Sequence, residues 1–253
     1  MIVAANSTKS APPLPTGKIL GLIPAKGGSV RVARKNLRPL AGKPLLQWTI
    51  DAALRSECLD RLVVSTEDTE AAAVARRGGA EVPFMRPPHL ARDPYGVVDV
   101  CLHALDELES VGERFDHLVI LLPTNPFRTS RHISEALRLY RELHADFLMS
   151  VTRLDHSLLS AHVLQGDFMQ PLHPEWIERL GARVNKADLP VLVKSNGAVT
   201  ILGVQRFRTE RRYYVYPLAA YPMPWPAGLD VDTEDDLLLA EALLDAGRIS
   251  LES

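Results

Sequence analysis

Between Ile19 and Pro44 the chain reads ILGLIPAKGGSVRVARKNLRPLAGKP. The opening run, Ile19-Leu20-Gly21-Leu22-Ile23, has the length and continuity of a buried strand. Pro24 breaks it into a loop carrying Gly27, Gly28 and Ser29, followed by Arg31, Arg34, Lys35 and Arg38. Gly42-Lys43-Pro44 then leads into a helical pattern. A strand emptying into a glycine-rich cationic loop suits a polyphosphate. Glycines let backbone N–H groups approach phosphate oxygens, and the cations offset their charge. A surface loop of solvated basic residues has the same composition, and these residues alone leave both readings open. The loop has neither the G-x-x-x-x-G-K-[ST] spacing of Walker NTPases nor the G-x-G-x-x-G of dinucleotide folds.

The rest of the chain has the rhythm of a sheet covered by helices. Leu45 to Ser56 and Thr69 to Arg77 have helical spacing, with Pro44 at the first turn of one and Gly78-Gly79 stopping the other. Arg61 to Thr66 and Ala80 to Phe84 read as strands, Val98 to Leu108 as a helix, and His117 to Leu122 as a wholly apolar central strand. A helix over Ile133 to Leu143 and a strand over Asp146 to Val151 follow. From about Thr152 to Pro190 the pattern is irregular. Strands at Asn196 to Leu202 and Tyr213 to Ala220 precede a last helix, Leu237 to Leu244. Strand–helix alternation with short connections predicts an α/β fold with a mostly parallel sheet and helices on both faces.

Length and composition narrow the function. The 253 residues fit one α/β domain, and a net charge of −2 argues against a protein held to nucleic acid by general electrostatics. Cys58 and Cys101 form neither a disulfide framework nor a zinc motif, and both are expected to pack as small apolar residues within helices. No run is long enough to span a membrane. Residues 1–18 lack the apolar core of a signal peptide and read as a disordered tail ahead of a domain at 19–253. A cytoplasmic location is the simplest expectation.

Near the C-terminus Asp230 and Asp232 stand two apart on an extended segment, so their carboxylates face the same way. Such a pair is costly unless a cation lies between, and hard oxygen ligands suit Mg²⁺ better than zinc. The following Thr233, Glu234, Asp235 and Asp236 read as the cap and acidic first turn of the last helix.

IPAKGGSVRVARKN resembles the CTP-binding signature I-P-A-R-x-G-S-K-x-x-x-x-K-N of the acylneuraminate (CMP-sialic acid synthetase) cytidylyltransferases. The likeness continues through RLVVSTEDTEAAAVARRGGAEVPFMRPPHLARD, the turn Pro123-Thr124-Asn125-Pro126-Phe127-Arg128-Thr129, the strand Asn196-Gly197-Ala198 and the segment Asp230-Val231-Asp232-Thr233. The resemblance implies a Rossmann-like nucleotidyltransferase that joins CTP to a 2-keto sugar acid, such as an N-acylneuraminate or related nonulosonic acid, releasing pyrophosphate with Mg²⁺ as cofactor. It implies that Lys26, Lys35, Asp230 and Asp232 carry catalysis, the two aspartates holding the metal. Ala25, Gly27, Gly28, Ser29, Asn36, Arg86 and Thr124 would bind CTP, with Arg86 reaching the cytosine ring. Lys186, Lys194 and Asn196 would meet the acceptor. Residues 152–190 would project as a dimerisation element, giving a homodimer.

Several positions depart from the family pattern. Lys26 replaces an arginine and loses its bidentate fork. Leu122 stands where a glutamine commonly faces the acceptor, Pro94-Tyr95-Gly96-Val97 replaces small hydroxyl residues near the base, and a basic residue is missing near Leu158 or Leu159. A Kdo-like acid or a phosphonate as acceptor, or a catalytically silent nucleotide-binding relative, are the alternatives.

Overall fold

A computed structural model of the chain describes residues 17–29, 31–154, 156–181 and 189–252. The N-terminal tail through residue 16 and Lys186 lie outside the described residues. The first strand, β1 (Ile19–Pro24), is followed by a loop and a 3-10 turn at Lys35–Leu37. A minimal hairpin, β2 (Pro39–Leu40) and β3 (Lys43–Pro44), delivers the chain into α1 (Leu45–Arg55). Then come β4 (Arg61–Ser65), α2 (Thr69–Arg77), α3 (Val97–Ser110), β5 (His117–Ile120), α4 (Ser130–Glu142) and β6 (Phe147–Arg153). The hairpin β7 (His162–Gln165) and β8 (Phe168–Pro171) and the helix α5 (Pro174–Gly181) follow. The chain closes with β9 (Val193–Gly203), α6 (Val204–Glu210), β10 (Ala219–Met223) and α7 (Glu234–Asp245).

The main sheet runs β4-β1-β5-β9-β6-β10. The β4/β1, β1/β5 and β6/β10 pairs are parallel, while β9 is antiparallel to both neighbours. Alternation within each strand divides the core. Ile19 and Ile23 of β1 pack with α1, α2 and α4 on one face, whereas Leu20 and Leu22 pack with α3 and α6 on the other. Both faces of β1 are dry, which is why its sequence is a continuous apolar run. Each fully buried Leu or Ile contributes about 1.5–3 kcal/mol of transfer free energy. A third cluster joins α7 to the start of α1 through Leu40, Leu45, Trp48, Phe127, Val231 and Leu237.

Four expectations need correction. Ala80 to Phe84 is no strand but a single parallel bridge, Val63 to Glu81, because Pro83 cannot donate to a continuing ladder. Tyr213 to Ala220 is mostly irregular, and the strand begins at Ala219 and runs to Met223. The stretch after Thr152 is not patternless: it holds a 3-10 turn at His156–Ser160, the β7–β8 hairpin and α5. Cys101 is buried in α3, but Cys58 lies in the loop after α1, where its thiol donates to the Ser56 carbonyl at 2.8 Å.

The α7 N-terminus is built as its sequence predicts. Thr233 Oγ1 accepts the Asp236 N–H at 3.2 Å, and Asp236 Oδ2 accepts the backbone N–H groups of Asp232 at 3.0 Å and Thr233 at 2.8 Å. Burial pushes the Asp236 carboxyl up, but the Thr233 hydroxyl, donating at 2.8 Å, and these two N–H groups outweigh it and hold the group below the ordinary carboxylate range. A lowered carboxyl pKa stabilises the fold above the unfolded-state value, and that stability is lost as pH falls through the folded value. Asp236→Ala is therefore expected to cost about 1 kcal/mol at pH 7. In urea melts across pH, the gap to wild type should close as the carboxyl protonates.

Candidate active site

The carboxyl ends of β1, β4, β5, β6 and β10 share one edge of the sheet, with the start of β9 among them. Ligands of open α/β sheets lie beyond that edge, and the cationic loop and both aspartates are found there. The loop is pinned by its own residues. Ala25 N–H donates to the Ser65 carbonyl at 2.9 Å, and the buried Asn36 amide donates to the Lys26 carbonyl at 2.8 Å. Gly27 N–H donates to Glu67 Oε1 at 2.8 Å, so this amide is committed to a carboxylate. Gly28 faces open space, and Lys26 is exposed. Ser29 closes a tight turn onto the Gly27 carbonyl at 3.0 Å.

Across from the loop, Val231 is fully buried against α7 and flanked by Asp230 and Asp232 on an extended segment. Its N–H donates to the Thr124 carbonyl at 2.8 Å, which ties this segment to the turn after β5. Asp232 accepts from Lys35 Nζ at 2.7 Å and pairs with Arg31 at 3.2 Å. Asp230 Oδ1 is buried and makes no hydrogen bond among the described residues. Burial pushes its carboxyl up. The Thr124 hydroxyl and Lys35 pull it back, Asp232 and Asp236 push it further, and the net displacement is upward. A partly desolvated carboxylate with one unbonded oxygen, beside a second carboxylate, fits a hard divalent cation. The described residues contain no group of three or more His, Cys, Asp or Glu able to hold a metal alone. A cation here would complete its shell with ligand oxygens and water, as Mg²⁺ does with substrate phosphates.

The turn after β5 organises the rest. Asn125 Nδ2 donates to the carbonyls of Asn196 at 2.9 Å and Leu229 at 3.1 Å. Arg128, 1% exposed, donates to the carbonyls of Leu122 at 3.0 Å and Ala198 at 2.9 Å, and burial lowers its pKa to about 9. Gly197 has φ +75, and a Cβ there would lie 2.7 Å from Leu122 Cδ1. Asn196, expected at the acceptor, is 3% exposed: Oδ1 accepts from Ser150 and from Ala198 N–H, and Nδ2 donates to Thr152. These bonds tie β9 to β6. Lys194 is exposed, paired in register with Thr152 near the same edge. Arg86 is 4% exposed and bound to Glu67, whose approach to Gly27 the sequence reading missed. A cavity of about 1530 Å³ bordered by His117, Tyr140, Arg141 and Arg206 lies at the opposite edge, remote from these groups.

Such a loop facing paired carboxylates across a Rossmann-like sheet edge suits nucleotidyl transfer. Comparison with known proteins sharpens the class. Residues 20–178 match the family model described as cytidylyltransferase. The chain is 31% identical over 236 residues to the CMP-N,N'-diacetyllegionaminic acid synthase of Legionella pneumophila, covering 92% of this chain and 99% of that protein. It is 29% identical to the pseudaminic acid cytidylyltransferase of Campylobacter jejuni, covering 89% and 96%. To the N-acylneuraminate cytidylyltransferase of Escherichia coli it is 32% identical, covering 88% of this chain but 51% of that longer protein. Among solved structures, a CMP:2-keto-3-deoxy-manno-octonic acid synthetase complexed with CTP has the same fold, with TM-score 0.66, 17% identity and coverage of 91% and 99%. A 4-diphosphocytidyl-2C-methyl-D-erythritol synthase from Anaerococcus prevotii follows at TM-score 0.60 and 10% identity, covering 90% and 98%. The chain belongs to the acylneuraminate and nonulosonic-acid cytidylyltransferase family, and it is a CTP-dependent enzyme of that type.

Gly228 sets how closely the aspartate segment approaches the β6–β9 pair. A Cβ at this position would lie 2.6 Å from Asn196 Nδ2 and also press on Thr152 Oγ1, both buried. Gly228→Ala should keep a cooperative fold at a cost of roughly 1–3 kcal/mol. Shifting Asp230 and Asp232 by a fraction of an ångström to 1 Å should lower kcat/KM by up to about 10²-fold. Steady-state kinetics beside thermal melts would check both effects.

Proposed function

We infer that the enzyme transfers the CMP group of CTP to a nonulosonic acid, giving the CMP-sugar and pyrophosphate. The juxtaposition of the Ala25–Asn36 loop with Asp232, through Lys35 at 2.7 Å and Arg31 at 3.2 Å, carries this reading. Lys26, Lys35 and Ser29, with the Gly28 amide, face the triphosphate. Asn36 and Ala25 shape the loop through their own hydrogen bonds, and Arg86 reads the base. The acceptor's anomeric hydroxyl attacks the α-phosphorus in line, its P–O bond forms as the bond to the β-phosphate breaks, and pyrophosphate leaves. This chemistry is positioning and charge stabilisation, and needs no protein nucleophile. Magnesium, bound by Asp230 and Asp232, would supply positive charge to the phosphate oxygens. Lys35 and Arg31, which pair with Asp232, belong to the same loop that would meet the phosphates.

Nonulosonic acids are the favoured acceptors because the legionaminic and pseudaminic relatives match over nearly their whole length. Lys194 is the described basic side chain expected to meet the acceptor carboxylate, with Lys186 its partner by sequence. Residues 152–190 serve as the dimer element. A two-stranded hairpin is marginal by itself, and β7–β8 exposes Leu164, Phe168 and Met169 at 67–75%. The register pairs Leu164 with Met169 on one face and puts Phe168 on the other, and exposed apolar side chains of this size suit burial against a second subunit. No helix among the described residues is long and apolar enough to cross a membrane, and a cytoplasmic site of action, where CTP is available, completes the proposal.

Pyrophosphate release from CTP and Mg²⁺, measured against N-acetylneuraminic, legionaminic and pseudaminic acids, 3-deoxy-octulosonic acid and small phosphonates, tests the assignment. Release with a nine-carbon acid is expected. Activity confined to the octulosonic acid or a phosphonate would reassign the acceptor, and CTP binding without turnover on the whole panel would mark a silent relative. Asp230→Asn and Asp232→Asn should each lower kcat by about a hundredfold or more.

A further inference from the structure

Glu67 lies two residues beyond β4, in a segment whose likeness gave it no role of its own, yet it touches both the phosphate loop and Arg86. Its Oε1 accepts Gly27 N–H of the phosphate loop at 2.8 Å. Its Oε2 accepts from Arg86 Nε at 3.1 Å and also from Nη2. The Arg86 side chain is 3% exposed, and Glu67 is its one acidic partner among the described residues. Backbone bonds reinforce the pairing: Arg86 N–H donates to the Thr66 carbonyl at 2.9 Å, beside the Ala25–Ser65 bond that anchors the loop. Burial pushes the Glu67 carboxyl up, but Arg86 and Gly27 N–H reverse the shift and hold it below the ordinary value. The group is therefore ionised at neutral pH.

One carboxylate thus spends its two oxygens on different duties. A buried guanidinium fixed along its Nε–Nη2 side leaves Nη1 as its one nitrogen without a hydrogen bond among the described residues. Cytosine and uracil share an acceptor at O2 but differ at N3, which accepts in cytosine and carries an N–H in uracil. A donor locked opposite N3 rejects uracil because two donors would face each other unpaired, whereas a donor free to swing to the shared O2 does not.

We propose that Glu67 is a positioning residue for base selectivity, locking Arg86 against the pyrimidine and setting its distance from the phosphate loop through Gly27. This rests on the reading of the edge as a CTP site. The test compares kcat and KM for CTP and UTP, with the best acceptor, in the full-length wild type, Glu67→Gln and Glu67→Asp, with thermal melts alongside. Glu67→Gln should raise KM for CTP about tenfold, leave kcat within about threefold, and lower the CTP-to-UTP ratio of kcat/KM about tenfold. Glu67→Asp, one methylene shorter, should show about a threefold fall in that ratio. A brace that only stabilised the fold would lower the melting temperature and leave the ratio alone. A wild-type ratio in Glu67→Gln overturns the proposal; if that variant fails to fold, an unchanged ratio in Glu67→Asp does so. A wild-type enzyme with no preference for CTP overturns the reading of the site itself.

Discussion

An ammonium and a carboxylate 197 positions apart in the chain, on Lys35 and Asp232, meet at 2.7 Å. The Lys35 side chain is mostly buried and that of Asp232 partly so, so the pair is shielded more than a surface ion pair and is correspondingly sensitive to geometry. Everything else at the sheet edge serves this meeting. β1 delivers the loop from one side, and the Val231 N–H to Thr124 bond delivers the aspartates from the other. Arg31 adds a second cation to the same carboxylate.

The aspartate pair is asymmetric. Asp232 is neutralised by Lys35 and Arg31, while Asp230 keeps one oxygen buried and unpartnered. An unsatisfied buried oxygen is unfavourable in the free protein by roughly 1–3 kcal/mol. A cation at this position, as proposed above, would supply the missing partner.

The turn after β5 acts as the structural hub of the site. Asn125 binds carbonyls from β9 and from the segment before Asp230, and Arg128 binds the carbonyl of Leu122 and that of Ala198 on β9. Both side chains are buried, and neither could be replaced by an apolar residue without orphaning backbone carbonyls. Leu122 packs directly over Gly197, leaving no room there for a Cβ.

The helices α1 to α4 and α7, the strands β1, β4 and β5 and the cap at Thr233 were legible in the amino-acid order, because apolar periodicity and capping chemistry are local properties of the chain, whereas α5 and α6 were not read from it. The cationic loop and the Asp230–Asp232 spacing were legible for the same reason. The reversed direction of β9, the short bridge in place of a strand near Glu81, and the hairpin beyond Thr152 depended on which neighbours were available to pair with. Glu67 was invisible for that reason too: nothing in STEDTE marks it, and its importance arises only where Gly27 and Arg86 converge on it. Local sequence therefore determined which elements form and which chemistry they bring. Tertiary packing alone decided which of those groups face one another, since contacts between residues distant along the chain are set by how the buried faces fit.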